Sequence, residues 1–383
     1  MSKEDFNVTP YEVSGEVDYG RLIKKFGVSK LTDQLKERVK KIAGEDHFLL
    51  RRKVFFAHRD LKWLLNQYEK GNKFFLYTGR APSGPITLGH LLPWVLCKWI
   101  QDKFDVEMWF HFPDEEKFLF KKDLELEDTQ KYLRDNMKDV IALGFDPEKT
   151  HFLIDTVHSD IMYKEACKVA KRITFSTVKS SFGFTDSTNI GSAFYTSMQA
   201  VPTFLPSKIK GKKMPCLIPL GVDQDIHFRI SRDVLPKLGY YKPAIMHSVF
   251  LPPLTGKGGK MSASKKSTAI YTTDSSETVK DKINKYAYSG GQATLEEHRE
   301  KGGNTEEDVP YQYLKMFFER NDKKLEKIKN EYESGKMLTG EIKQILIKKV
   351  NEFLEEHQKK REKATTKFND YIYGNKTAED ISE

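Results

Sequence analysis

The chain has 383 residues, 31% of them charged and 38% hydrophobic, with a formal net charge of +9 and a pI of about 9.0. That length allows two domains and a large core, while the longest apolar run is far too short to span a membrane as a helix. The positive balance suits a polyanionic partner but equally serves solubility, so charge alone does not select nucleic acid.

In chain order, the first ten residues are polar and acidic, with no hydrophobic leader, and the cytoplasm is the expected location. Tyr11-Glu12-Val13 reads as a short strand, Leu31 to Ala43 has helical periodicity, and Asp60 opens a helix through Tyr68. A β-α-β rhythm then begins. Phe74 to Thr78 is an apolar strand, Leu88 to Phe104 a helix and Val106 to Phe112 the next strand. Thr129 to Leu143 is amphipathic, His151 to Asp155 is strand-like, and Tyr163 to Thr203 reads as a helical insertion. The rhythm resumes with the strand Pro215 to Leu220, the helix Asp225 to Leu238 and the strand Ala244 to Phe250. Continuous apolar strands alternating with helices predict an α/β fold, a doubly wound parallel sheet of Rossmann type. In such sheets ligands bind beyond the strand carboxyl ends, where Gly79, His111 and Asp223 fall.

After Thr273 the strand signals stop. Lys- and Glu-rich helices follow over Glu277 to Tyr288, Val309 to Glu319, Lys323 to Ser334 and Gly340 to Phe368. In the last of these Ile342, Ile345, Leu346, Val350, Phe353 and Leu354 form one apolar stripe. The expected organisation is an N-terminal extension over 1–72, a catalytic α/β domain over 73–274 and an α-helical C-terminal domain over 275–383. Cys97, Cys167 and Cys216 have no paired spacing, so neither a disulfide framework nor a zinc site is expected, but buried, reduced thiols are.

Two separated segments carry the chemistry. Pro82-Ser83-Gly84-Pro85-Ile86-Thr87-Leu88-Gly89-His90 is a glycine-bearing turn between an apolar strand and a helix, where backbone N–H groups and the helix dipole favour phosphate. Lys260-Met261-Ser262-Ala263-Ser264 is a small hydroxyl-rich loop headed by a cation, with Gly256, Gly258 and Gly259 just before it. Each alone is weak. The ordered pair points to adenylyl transfer from ATP, the second segment closing as a mobile loop over about 256–266.

Gly89-His90 with Lys260-Met261-Ser262-Ala263-Ser264 resembles the paired signatures of class I aminoacyl-tRNA synthetases. Further fragments fall in the same order: Lys73 to Arg80, Asp114-Glu115-Glu116-Lys117, Phe182 to Ser187, Gln199 to Pro202, Val222-Asp223-Gln224-Asp225, and Ser289-Gly290-Gly291 followed by Glu296 to Arg299. Together they resemble the eukaryotic-type tryptophanyl-tRNA synthetases. The resemblance implies activation of tryptophan by ATP with Mg2+, transfer to tRNA(Trp), and a homodimer formed through an insertion at about 158–205. It also implies anticodon contact by the helical domain. A tyrosyl-tRNA synthetase shares this fold and both signatures and stays the principal alternative. A small-molecule adenylyltransferase would not require the long basic helical C-terminus.

A carboxylate attacking a phosphate is already ionised, so the first step needs positioning and charge stabilisation rather than a protein nucleophile. His90, Lys117, Lys260, Ser262 and Ser264 are the implied catalytic donors. Arg80, Thr87, Gly89, Gly221, Asp223, Gln224 and Met261 complete the implied ATP site. Thr87 stands where many relatives carry a second histidine. His90 as a helix cap and Asp223 as the cap of the following helix are the bland alternatives. For the amino acid, the resemblance points to Tyr77, Glu116 and Gln199, with Ile218 and Phe228 as apolar walls and Gln224 alongside. His111 departs from the glutamine usual at its position. It either accepts from the indole N–H or braces Tyr77, with tryptophan affinity weakening at acid pH as a protonated ring loses its acceptor.

Overall fold

The computed structural model describes residues 18–256, 259–261 and 266–381, together with the short strands β1 (Asn7–Val8) and β2 (Val13–Ser14), which pair antiparallel. Seven strands form the central sheet: β3 (Ser29–Lys30), β4 (Phe55–Arg59), β5 (Phe75–Gly79), β6 (Met108–Phe112), β7 (Thr150–Ile154), β8 (Cys216–Gly221) and β9 (Ala244–Ser248). Their order across the sheet is β3-β4-β9-β8-β5-β6-β7. The five strands from β9 to β7 run parallel, whereas β3 and β4 are antiparallel additions at one edge. The sheet is therefore mixed and mostly parallel. Residues 55–59, expected to lie in an extension packed on the domain, extend the sheet itself.

The chain leaves β5 towards β6 and β7 and then crosses back to β8 and β9, so the topological switch point lies beside β5. A parallel strand presents alternate residues to opposite faces. On one face Leu76, Phe110, Phe112, Leu217 and Met246 join the large core beneath the Leu88–Phe104 helix. On the other, Phe75, Tyr77, Trp109, Cys216, Ile218 and Ile245 form a smaller cluster with Phe228. Tyr77 and His111 share this second face, because Tyr77 pairs with Trp109 and Gly79 with His111 in register. The close spacing explains Gly79: a Cβ there would lie 2.5 Å from the His111 carbonyl oxygen.

The last third is helical, as expected, through Ser276–Tyr286, Asp322–Glu333 and Thr339–Ala364. Among the helices that escaped the sequence reading, Glu116–Phe120 and Leu295–Lys301 are too short for periodicity. The end of the chain returns to the sheet. Phe152 N–H donates to the Tyr371 carbonyl at 2.6 Å and Tyr373 N–H to the Phe152 carbonyl at 3.1 Å, which covers the free edge of β7. Cys97 and Cys216 are buried, but Cys167 is exposed on the Ser159–Ala170 helix, contrary to expectation, because it falls on that helix's polar face. Among the described residues no helix is long and apolar enough to cross a membrane.

Candidate active site

The two signatures meet. The Leu88–Phe104 helix is opened by Thr87 and carries Gly89 and His90 in its first turn. Met261 N–H donates to the Leu251 carbonyl at 3.1 Å, placing its side chain over Gly89, where an added Cβ would lie 3.4 Å from Met261 Cβ. Both segments line one cleft of about 250 Å³ at the carboxyl ends of β5 and β8. Arg80, Gly89, His90, Lys117, Gly221, Asp223, Gln224, Lys260 and Met261 all border it. Ser262 and Ser264 lie outside the described residues.

Thr87 is fully buried and does not face the cleft. Its backbone N–H donates to His90 Nδ1 at 3.0 Å, and its hydroxyl lies 3.1 Å from the same nitrogen. His90 therefore does cap the helix, but with Nδ1 alone. Burial, with Arg80, Lys260 and Lys117 nearby, holds its pKa well below the ordinary histidine range, so the ring is neutral. A neutral ring accepting at Nδ1 carries its proton at Nε2, which leaves that N–H as a donor.

Asp223 does not cap the helix that follows. Its carboxylate accepts from Lys260 Nζ and, at 3.0 Å, from Gln224 Nε2. The lysine is thus parked on a buried carboxylate at the cleft wall. Arg80 is half-buried, with its Nε fully so; burial lowers its pKa to about 10, with Glu116 partly compensating. Arg80 Nε has no hydrogen-bond partner among the described residues. An anion in the cleft would satisfy it.

Beside the cleft lies a narrower pocket of about 90 Å³. Tyr77, His111, Glu116, Gln199, Ile218, Gln224 and Phe228 all line it. The Phe228 ring meets Tyr77 edge-on at 5.6 Å. Glu116 accepts from Lys117 Nζ at 2.5 Å and from the Tyr195 hydroxyl at 2.9 Å. Burial pushes this carboxyl up, but Lys117 and Tyr195 outweigh it and hold Glu116 below its ordinary range, ionised and suited to an ammonium group. Gln199 Nε2 donates to the Tyr77 hydroxyl at 2.9 Å. His111 Nδ1 lies 3.0 Å from that hydroxyl and His111 Nε2 lies 2.6 Å from Asp155 Oδ1. Both ring nitrogens are occupied, so of the two roles open to His111 the geometry provides the bracing of Tyr77. Burial brings the His111 pKa down to about 4.

Sequence reasoning missed three residues here. His227 lines the pocket with Nδ1 unpartnered among the described residues, and it sits three residues after Gln224, one helical turn on. Asp155 and Glu115 lie behind His111. Asp155 stands at the carboxyl end of β7, and that placement was the available signal.

A cleft lined by the two signatures and an adjoining aromatic-walled pocket, at the switch point of a mostly parallel sheet, suit an amino-acid-activating ligase. The family model described as class I tRNA synthetases (W and Y) matches residues 69–355. The tryptophan–tRNA ligase of Saccharolobus solfataricus is 50% identical over 380 residues, covering 99% of this chain and 98% of that protein. That of Sulfolobus acidocaldarius is 51% identical over 379 residues with the same coverage. Among solved structures, tryptophanyl-tRNA synthetase from Giardia lamblia superposes with a TM-score of 0.88 at 37% identity, covering 95% of this chain and 97% of that one. The Plasmodium falciparum enzyme gives 0.85 at 40% identity, covering 95% and 96%. The chain belongs to the class I tRNA synthetases of the tryptophan and tyrosine type, and within them to the tryptophanyl-tRNA synthetases.

Proposed function

We infer that this chain joins L-tryptophan to tRNA(Trp) in two steps. The tryptophan carboxylate attacks the α-phosphorus of ATP and pyrophosphate leaves; the terminal ribose hydroxyl of the tRNA then attacks the tryptophanyl-adenylate carbonyl and AMP leaves. The observation that carries this reading is the packing of Met261 on Gly89, which brings a helix N-terminus and the Lys260 ammonium to one cleft beside an aromatic pocket.

Each group has a task that follows from its setting. His90 offers Nε2–H to the phosphates without adding a charge. Lys260 exchanges Asp223 for the departing pyrophosphate, which Ser262 and Ser264, outside the described residues, also hold. Lys117 and Arg80 supply further positive potential. Magnesium arrives on the ATP phosphates as part of the substrate. Glu116 and Gln199 hold the α-ammonium group, while Ile218 and Phe228 sandwich the indole.

The helices from residue 275 onward contact the anticodon, and residues 1–72 support the ATP side of the catalytic domain. Two copies pair through the 158–205 insertion, a reading supported by its exposed Tyr163, Phe175 and Ile190. The enzyme works in the cytoplasm. The test is charging of tRNA(Trp) and tRNA(Tyr) transcripts with labelled tryptophan or tyrosine. Tryptophan on tRNA(Trp) alone is the expected product; tyrosine on tRNA(Tyr) would establish the alternative.

A further inference from the structure

The wall behind the aromatic pocket is a hydrogen-bonded chain with a defined direction. It runs from Gln199 Nε2 to the Tyr77 hydroxyl (2.9 Å), on to His111 Nδ1 (3.0 Å), and from His111 Nε2 to Asp155 Oδ1 (2.6 Å). His111 and Asp155 are both 1% exposed, so water does not compete. A neutral imidazole has one N–H. If Asp155 accepts at Oδ1, that proton is on Nε2, Nδ1 is a bare acceptor, and the Tyr77 hydrogen has to point at it. The Tyr77 oxygen takes the Gln199 N–H on one lone pair and keeps the other. It can then offer the pocket an acceptor and nothing else.

What keeps Asp155 an acceptor is a second carboxyl. Glu115 and Asp155 each perturb the other's ionisation. Glu115 Oε2 and Asp155 Oδ2 are both buried with no other partner among the described residues. Two carboxylates so placed do not both ionise. Burial raises both carboxyls well above their ordinary range, but their contact raises Glu115 further and lowers Asp155, so the shared proton sits on Glu115, which donates it towards Asp155.

We propose that Asp155, acting through the His111 ring, fixes the direction of the Tyr77 hydroxyl and so makes the pocket select an amino acid whose ring donates an N–H. Asp155 is a positioning residue in this scheme. The proposal deepens the tryptophan reading and rests on it.

The experiment compares kcat/KM for pyrophosphate exchange with tryptophan and with β-(1-benzothiophen-3-yl)alanine, which matches its shape but lacks the N–H. In Asp155→Asn the amide can donate to Nε2, the tautomer inverts, and the Tyr77 hydrogen turns into the pocket, as in other inverted dyads. The tryptophan preference should fall by about tenfold or more, with the benzothiophene analogue within about twofold of the parent enzyme. His111→Phe should lose the preference similarly, and the double variant should be no worse than His111→Phe alone, because the two act in series. A parallel loss for both substrates, or an unchanged preference, would overturn the proposal. Should Asp155→Asn not fold, 15N shifts of the His111 ring in the parent protein decide: protonated Nε2 supports the scheme and protonated Nδ1 overturns it. Absence of tryptophan-dependent exchange in the parent enzyme is a separate result, which overturns the underlying reading and this proposal with it.

Discussion

Lys260 and His111 show how one side chain's partner dictates its chemistry. Lys260 sits on Asp223, so it is held at the cleft wall ready to move rather than spread into solvent. Lys260→Ala should raise the barrier to adenylate formation by about 2.7–4 kcal/mol, a loss of about 10²–10³ in kcat, with tryptophan affinity nearly unchanged. Single-turnover kinetics with separate titration of tryptophan would check it; equal losses in rate and affinity would count against a role confined to the phosphates. His111 has a folded pKa of about 4 against an ordinary 6.5. The unfolded chain therefore takes up this proton first. The stability His111 contributes is complete above about pH 6.5 and is lost as the pH falls towards 4. Chemical unfolding at pH 4.5 and pH 7 should differ less in His111→Phe than in the parent chain. The acid weakening of tryptophan affinity expected from the sequence should accordingly begin only below about pH 5, since the ring stays neutral above it.

At the scale of elements, the Asp223–Gln224 turn depends on its neighbour Asp225. Arg59, from the antiparallel strand β4, donates to Asp225 through Nε at 2.9 Å and Nη2 at 2.8 Å, and His247 of β9 completes the clamp at 2.7 Å. Arg59 also reaches the Phe26 carbonyl at 2.6 Å, tying in the Tyr19–Phe26 helix. Burial opposes ionisation of Asp225, but Arg59 and His247 outweigh it and bring its pKa to about 2. Asp225→Ala leaves a largely buried guanidinium without its carboxylate and should cost about 3–5 kcal/mol of stability, read as a lower denaturation midpoint. None of this was legible beforehand. Phe55 to Arg59 has no clean alternation, and its antiparallel pairing is decided by β9, a partner some 190 residues away. The parallel strands were legible because each is a continuous apolar run between helices. The Gly89 and Lys260 segments were legible because their residue types are rare in that order. Asp155 and Glu115 were not, since their roles arise only when the sheet register brings β6 and β7 together, and His227 was not, since it enters the pocket from the helix after β8.

At the scale of the molecule, the helical part is bound to the catalytic part by buried ions as well as apolar packing. Asp139 accepts from His357 Nε2 at 2.8 Å and from Arg361, which also holds Asp135 at 2.7 Å. This joint is one of several, Arg51 and Arg52 on Asp322 forming another, and Arg361→Met should loosen the link between the two parts in thermal unfolding, seen as a broadened transition. The positive charge of the whole chain acquires a use if tRNA is the partner. Binding of tRNA should then weaken steeply with added salt through counterion release, and salt-independent binding would remove that use.

The central claim is that residues from two distant segments converge on one ATP to activate tryptophan. Exchange of labelled pyrophosphate into ATP tests it most directly, with tryptophan and tyrosine supplied in turn. Rapid exchange is expected with tryptophan, none above background with tyrosine, and near-complete loss in both Lys260→Ala and His90→Ala. Exchange supported by tyrosine, or exchange with tryptophan that survives both substitutions, would contradict it.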